Sequence, residues 1–197
     1  MRKMIVVLSL AVVWMFTVAS SPVVTGAKVR IKAKKYEEAI KVLEDNKGQY
    51  GNDPELFYYL GRAYAGTAKW ADAGDNFSKA LTLNPDKDLK KEIEKYRDFH
   101  WSTFVKEGSA LLQQKRYDVA IGKYLLANRI NPDRKESWAN LGVSQLELGR
   151  SMEEAQPPKP DSAKIMYEGA IESFKRAIEL DPSNETFTKN LAQAYTI

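Results

Sequence analysis

Residues 54–87 read PELFYYLGRAYAGTAKWADAGDNFSKALTLNPDK and hold the clearest pattern in the chain. In the second half of this stretch, Trp70, Ala73, Phe77 and Ala80 follow one another at steps of three, four and three residues. These steps place the four side chains on one face of an α-helix. Pro85 follows five residues later and cannot continue a helix. The stretch therefore predicts a helix over residues 69–83.

The same pattern recurs along the chain, and its spacing defines a repeat. The first alanine of each copy lies at position 39, 73, 120 or 170. A second series of small residues, glycine or alanine, lies at positions 61, 108, 142 and 192, in the first helix of a repeat. A unit of 34 residues explains both series once one insertion of 13 residues and one of 16 are allowed. The apolar members of the other copies are Tyr36, Ala39 and Leu43; Tyr117, Ala120 and Tyr124; and Tyr167, Ala170 and Phe174.

This pattern resembles the tetratricopeptide repeat family, whose 34-residue unit is a helix–turn–helix. Residues 54–87 carry the resemblance best, with Phe57, Leu60, Gly61 and Tyr64 ahead of the alanine pattern. The resemblance implies an all-α fold, an α-solenoid of such repeats over residues 28–197. It places repeats at about 28–53, 54–87, 101–134 and 135–184, with a linking helix over 86–100 and a C-terminal capping helix over 185–197.

The two insertions predict departures from a regular array. Leu89, Ile93, Tyr96 and His100 keep a helical step, so residues 86–100 should extend the first helix of repeat three or meet it at a bend. The second insertion, residues 151–166, contains three prolines within 157–160. We expect its middle, residues 156–160, to run extended over the surface and the loop to be dispensable for folding. A longer helix, capped at 161 or 162, should follow.

Helix ends and buried positions follow from the same pattern. Asp53, Asp133 and Asn184 are expected to cap the helices that follow them. In the last helix, Phe187, Leu191, Ala194 and Tyr195 should form an apolar stripe that covers the final repeat. The aromatic residues expected to be largely buried are Trp70, Phe77, Tyr117, Tyr124, Trp138 and Phe174.

The N-terminal segment has the order of a secretory signal peptide. Arg2 and Lys3 precede an uncharged stretch whose apolar part is residues 4–18, and small residues follow it. Residues 1–27 are therefore predicted to be a signal peptide cleaved after position 19, 20 or 27, which makes the protein periplasmic or secreted. The alternative is an uncleaved membrane anchor, with a tether through residues 4–27, because the basic residues between 28 and 35 resist translocation.

Composition excludes several classes of function. There is no cysteine, so neither disulfides nor thiol chemistry is available. Beyond residue 27 the chain has 28 basic and 26 acidic residues, too balanced for a nucleic-acid-binding protein. His100 is the only histidine and has no partners at ligand or triad spacing. We therefore expect no enzymatic activity, no metal, no cofactor, no small-molecule substrate and no nucleic acid.

The resemblance implies that function comes from the groove lined by the first helix of each repeat. The predicted role is a scaffold that binds a peptide or a partner protein there. The alternatives are a structural subunit of a cell-envelope assembly and a membrane-anchored cytoplasmic adaptor. The groove-facing residues implied by the repeat phase are Tyr58, Arg62, Val105, Ser109, Ala139 and Val143.

Overall fold

The structure is a computed structural model that describes residues 21–196, and within them it contains nine α-helices and no strand. Consecutive helices pair as hairpins, α1 with α2, α3 with α4, α5 with α6 and α7 with α8, and α9 packs on the last pair. The predicted all-α solenoid with a terminal capping helix is confirmed. The helices are α1 Pro22–Lys32, α2 Tyr36–Asp45, α3 Pro54–Gly66, α4 Trp70–Thr82, α5 Lys87–Gln113, α6 Tyr117–Ile130, α7 Lys135–Glu153, α8 Pro160–Leu180 and α9 Glu185–Tyr195.

The turns of the first three hairpins share one backbone conformation. Lys34, Ala68 and Lys115 have φ values of 58°, 59° and 58°, in the left-handed region that few non-glycine residues adopt. Each lies two residues before the aromatic residue that begins the second helix of its hairpin. The turns therefore repeat with the same spacing as the alanine pattern, and only the fourth hairpin is joined differently.

Helix α5 is a single helix of 27 residues, so the linking segment and the first helix of repeat three are continuous. Its first half lies on the core of the first two hairpins, where Ile93 is fully buried. Arg97 is 3% exposed and donates a hydrogen bond from Nε to the carbonyl oxygen of Ile130 over 2.8 Å. This bond ties the middle of α5 to the end of α6.

Two of the three expected helix caps form. Asp53 accepts a hydrogen bond from the backbone N–H of Glu55, and Asn184 accepts one from Thr186. The cap expected at Asp133 is wrong. Helix α7 has Arg134 at its N-cap without a side-chain bond, and the Asp133 carboxylate instead lies 3.5 Å from Nη2 of Arg97. A nearby buried guanidinium attracts this carboxylate away from the helix end.

Residues 156–159 of the insertion in repeat four are non-helical, as expected, whereas Pro160 is helical, which corrects the expectation for that residue. Helix α7 continues to Glu153 and α8 already begins at Pro160, which is tolerated in the first turn because its missing N–H is not needed there. Neither position 161 nor 162 caps the helix; Lys159 does, without a side-chain bond. Met152 and the fully buried Ala163 pack in the same cluster, so the insertion lengthens the hairpin.

Only some of the residues that were predicted to be buried are buried in the structure. Phe77, Tyr124 and Phe174 are fully buried. Trp70, Tyr117 and Trp138 are only partly buried, because each lies near the first turn of its helix, at an end of the hairpin, where fewer side chains surround it. In the terminal helix, Phe187 and Ala194 are buried and Leu191 packs beside them, but Tyr195 is 59% exposed. Tyr195 follows Phe187 by eight positions, which rotates its side chain about 80° around the helix axis from that of Phe187.

Helix α1 begins before the expected boundary at residue 27. Ser21 caps it by accepting a hydrogen bond from the N–H of Val24, and Val24 and Ala27 are fully buried. The boundary thus falls inside a packed helix. The remainder of the predicted leader or anchor, residues 1–20, lies outside the described residues and stays a prediction. Between residues 21 and 196, no helix is both long and apolar enough to cross a membrane.

Candidate partner-binding site

An arginine surrounded by tyrosine rings forms a distinct cluster between α3 and α5. We call it the Arg62 site, and it consists of Tyr58, Tyr59, Arg62, Glu92 and Tyr96. The Arg62 guanidinium carbon lies 5.5 Å from the ring centroid of Tyr58 and 5.4 Å from those of Tyr59 and Tyr96. These distances are within the range of cation–π attraction, so three rings fix the position of one cation.

Glu92 completes the cluster from α5. It accepts a hydrogen bond from the Tyr58 hydroxyl over 3.0 Å, and its Oε1 lies 3.8 Å from Nη1 of Arg62. The Nε of Arg62 is buried and has no hydrogen-bond partner within residues 21–196. Arg62 is therefore held mainly by rings and charge rather than by a full set of hydrogen bonds.

Burial and charge together set the pKa values at this site. Burial raises the pKa of Tyr58; the Arg62 cation lowers it, but Glu92 raises it further. Burial by itself lowers the pKa of Arg62, but the surrounding tyrosines and Glu92 raise it above its ordinary value. The tyrosines are thus neutral and the arginine charged at any physiological pH.

Two open depressions flank Arg62. The first, of about 370 Å³, lies between α1, α3 and α5 and is lined by Lys28, Lys32, Arg62 and the rings of Tyr36, Tyr59 and Tyr96, with no acidic side chain among its described lining residues. The second, of about 300 Å³, is lined by Tyr58, Arg62, Tyr96, Glu92, Lys95 and Phe99. Arg62 therefore forms the wall between a basic depression and a more apolar one.

Of the six residues implied by the repeat phase, the structure brings only Tyr58 and Arg62 together. Tyr58 is 1% exposed, so it supports Arg62 rather than offering a surface. Val105 and Val143 pack against the core, and the Ser109 hydroxyl lies 3.1 Å from that of Tyr124. Ala139 is buried beneath Phe187 of the terminal helix.

Two members of the site, Glu92 and Tyr96, and the neighbouring Phe99 lie outside the positions that the repeat phase covers. Glu92, Tyr96 and Phe99 belong to the inserted first half of α5, which has no counterpart in the 34-residue unit. Phe99 is 65% exposed. The signal was present, since the helical step through Tyr96 and His100 predicts a face that packs on the preceding repeat.

His100 lies beside this cluster among aromatic rings. Its ring centroid is 5.0 Å from that of Trp70 and 4.7 Å from that of Tyr96, and burial lowers its pKa. Across residues 21–196 no group of three or more histidine, cysteine, aspartate or glutamate side chains is arranged to hold a metal ion.

Two models of the tetratricopeptide repeat match parts of this chain. One family model, described as a TPR repeat, matches residues 166–196, and another, described as a tetratricopeptide repeat, matches residues 105–157. These two stretches of the chain are therefore similar to tetratricopeptide repeats. The matched spans cover most of repeats three and four and the terminal helix α9.

Curated relatives differ in how much of their own length the chain spans. Photosystem I assembly protein Ycf3 of Synechococcus elongatus is 29% identical over 153 residues, which covers 77% of this chain and 79% of that protein. Human protein O-mannosyl-transferase TMTC1 is 30% identical over 71% of this chain, but the match spans only 13% of the transferase. A DnaJ homolog of Dictyostelium discoideum is 23% identical, with 87% of this chain and 36% of that protein covered.

Solved structures of tetratricopeptide proteins align at low similarity. MamA of Desulfovibrio magneticus RS-1 is 20% identical, with a TM-score of 0.38 over 90% of this chain and 86% of that one. The first TPR domain of human RPAP3 is 18% identical, with a TM-score of 0.40 over 73% of this chain and 90% of that one. TM-scores of this size establish neither a shared overall arrangement nor a shared function.

Proposed function

We propose that this chain is a protein-interaction scaffold that binds a peptide segment of a partner protein at the Arg62 site. The observation that carries the proposal is the position of Arg62, held against three tyrosine rings between two open depressions. Arginine and tyrosine are enriched among the residues that dominate binding energy at interfaces. A cation fixed in advance loses little conformational entropy when it binds.

The two depressions differ in the side chains they would accept. The basic depression, with Lys32 and Arg62 in its wall, favours an acidic side chain or a terminal carboxylate. The second depression, beside the exposed ring of Phe99, favours an apolar side chain. The partner segment is therefore an extended peptide with an acidic group on one side of Arg62 and an apolar side chain on the other.

The relatives support an interaction role. Ycf3, of which the chain spans 79%, is named as an assembly protein. The transferase relative is matched over only 13% of its length, so this similarity gives no support for catalysis by this chain. We propose that the chain has no catalytic activity of its own.

The proposal is tested by selecting peptides from a random library on the full chain and measuring their dissociation constants. Arg62→Met removes the charge and keeps an unbranched side chain, and Phe99→Ser removes the apolar wall. Both should weaken selected peptides at least about tenfold, the equivalent of about 1.4 kcal/mol. Ile165→Ser is the matched control, because Ile165 is 60% exposed on α8, away from both depressions. Equal binding by all four proteins would contradict the proposal.

A fixed partner that stays bound through extensive washing, and that Arg62→Met does not release, would instead favour a structural subunit of an envelope assembly. This outcome is distinct from reversible peptide binding. The interface would then lie on surfaces outside the Arg62 site.

We also propose that the protein is exported and that cleavage occurs ahead of Ser21. The cap made by Ser21 and the burial of Val24 and Ala27 support cleavage after Ala19 or Ser20, since cleavage after Ala27 would remove the first half of α1. The alternative is a membrane anchor. The intact mass of the natively expressed protein distinguishes the two, because an uncleaved chain keeps residues 1–20.

A further inference from the structure

A third depression, of about 310 Å³, lies between α4, α6 and the start of α7 and shares no residue with the Arg62 site. Its geometry depends on a close approach of two helices. A Cβ added to Gly74 of α4 would lie within 1.9 Å of the carbonyl oxygen of Arg129, at the end of α6. The glycine lets the two helices cross in direct contact, which brings Asp75 and Ser78 beside Asn128.

Asn128 in this depression is a buried amide without partners. The residue is 5% exposed, and neither its Nδ2 nor its Oδ1 has a hydrogen-bond partner within the described part of the chain. Other buried asparagines are bonded: Asn76 donates to the carbonyl oxygen of Asp72, and Asn131 donates to Asp98, both over 2.8 Å. Leaving a buried donor and acceptor unpaired is costly, so this amide calls for a partner.

The rim of the depression carries unpaired charge. The side chains of Asp75 and Arg129 are exposed, and among residues 21–196 neither makes an ion pair or a side-chain hydrogen bond. The wall is apolar. Leu125 is 47% exposed, and the indole N–H of Trp138 is already used by the carbonyl oxygen of Pro132. The depression therefore combines an apolar wall, an unpaired amide and one charge of each sign.

We infer that this depression is a second docking site, which takes an extended peptide segment of a partner protein. One apolar side chain fills the space against Leu125 and Trp138, since the volume is at the lower limit for ligand pockets and suits one side chain. The donor and acceptor of Asn128 match the C=O and N–H of one peptide backbone. The unpaired charges favour a segment with an acidic residue toward Arg129 and a basic one toward Asp75.

The amide must turn for this contact. Its polar atoms are buried in the unliganded arrangement, so the inference requires a rotation about the Asn128 side-chain bonds that turns them toward the depression. The inference rests on different residues from the Arg62 site, so either site can fail alone.

The test uses two variants of the full chain and peptides selected from a random 12-residue library. Asn128→Leu replaces the amide with an apolar group of similar size, and Leu125→Asp disrupts the wall. We expect a class of selected peptides whose dissociation constant rises at least about tenfold in both variants and is unchanged in Phe99→Ser. Peptides that depend on Phe99 alone report on the Arg62 site instead.

A thermal melt separates a binding role from a structural one. Because Asn128→Leu removes an unpaired buried amide, it should raise the melting temperature while it weakens the peptides. A lower melting temperature would show that the amide is satisfied within the folded chain and would overturn the inference. The absence of any peptide class that depends on Asn128 and Leu125 would overturn it as well. So would concentration-dependent self-association lost in Leu125→Asp, since the occupant would then be a second copy.

Discussion

The ring of Phe77 lies directly against the backbone of Gly61, where an added Cβ would come within 2.6 Å of the ring's Cε1. The same contact recurs between Gly108 and Tyr124 at 2.9 Å, and an added Cβ at Gly142 would lie 2.7 Å from the Phe174 ring. Each hairpin from the second to the fourth thus seats one aromatic ring of its second helix on a glycine of its first. This contact is the packing reason for a glycine inside each first helix.

Gly61→Ala should destabilise the fold despite the better helix propensity of alanine. The ring or the helix must move to admit a methyl group, which costs about 1–3 kcal/mol in well-packed cores. Gly122→Ala is the matched control, since Gly122 also lies inside a helix but has nothing within 4 Å of an added Cβ. It should stabilise the protein by up to about 1 kcal/mol. Urea unfolding measures both, and equal effects would show that the glycine contact is not tight.

Phe187 should account for much of the stability contributed by the terminal helix. It is 8% exposed and packs against Ala139 and Ala177, so Phe187→Ala should cost about 3 kcal/mol. Tyr195→Ala, in the same helix, should change stability by less than about 0.5 kcal/mol because Tyr195 is 59% exposed. Chemical denaturation compares the two. If Phe187→Ala were as mild as Tyr195→Ala, α9 would not act as a cap.

The start of the folded domain can be tested by truncation. A chain that begins at Ser21 keeps the cap and the buried side chains of Val24 and Ala27, whereas one that begins at Lys28 loses all three. We expect the chain from Lys28 to melt at a clearly lower temperature, because it leaves apolar surface of the first two hairpins exposed. Identical melting temperatures would mean that α1 is peripheral and would allow cleavage after Ala27.

Stability should fall as the pH drops below about 6.5, and His100 should be responsible. Burial lowers the pKa of His100 from its ordinary value of 6.5, so the unfolded chain takes up a proton before the folded one does. The stabilisation is complete above the unfolded pKa and is lost as the pH falls through the folded pKa. His100→Phe should flatten stability between about pH 7 and pH 5.5, where few carboxylates titrate. An unchanged slope in this variant would assign the effect to other groups.

How far the sequence predicts this structure depends on the 34-residue period. Helix ends within the regular repeats, such as those of α3, follow from spacing and breakers, because Pro54 and the turn after Gly66 act locally. Pro160 is expected in the loop of repeat four because prolines indicate loops, but it occupies the first turn of α8, which tolerates proline. The residues next to a proline in the sequence do not distinguish a proline in a loop from one in the first turn of a helix.

The binding site was harder to predict than the fold. The repeat phase identified Arg62 and Tyr58 but treated Tyr58 as surface, since it does not record that the inserted half of α5 covers this ring. Glu92 and Tyr96 reach the site only through tertiary packing. Conversely, Ala139 has the phase of a groove residue but is buried by α9, which has no counterpart in an internal repeat.

The central claim, that the Arg62 site holds a partner protein, is tested most directly by photocrosslinking in the cells that express the protein. A photoreactive benzoylphenylalanine is placed at position 99, beside Arg62, or at position 165, which is comparably exposed on α8. We predict a discrete crosslinked product of defined mass from position 99 that disappears with Arg62→Met and is absent from position 165. No product at position 99, or the same product from both positions, would contradict the account.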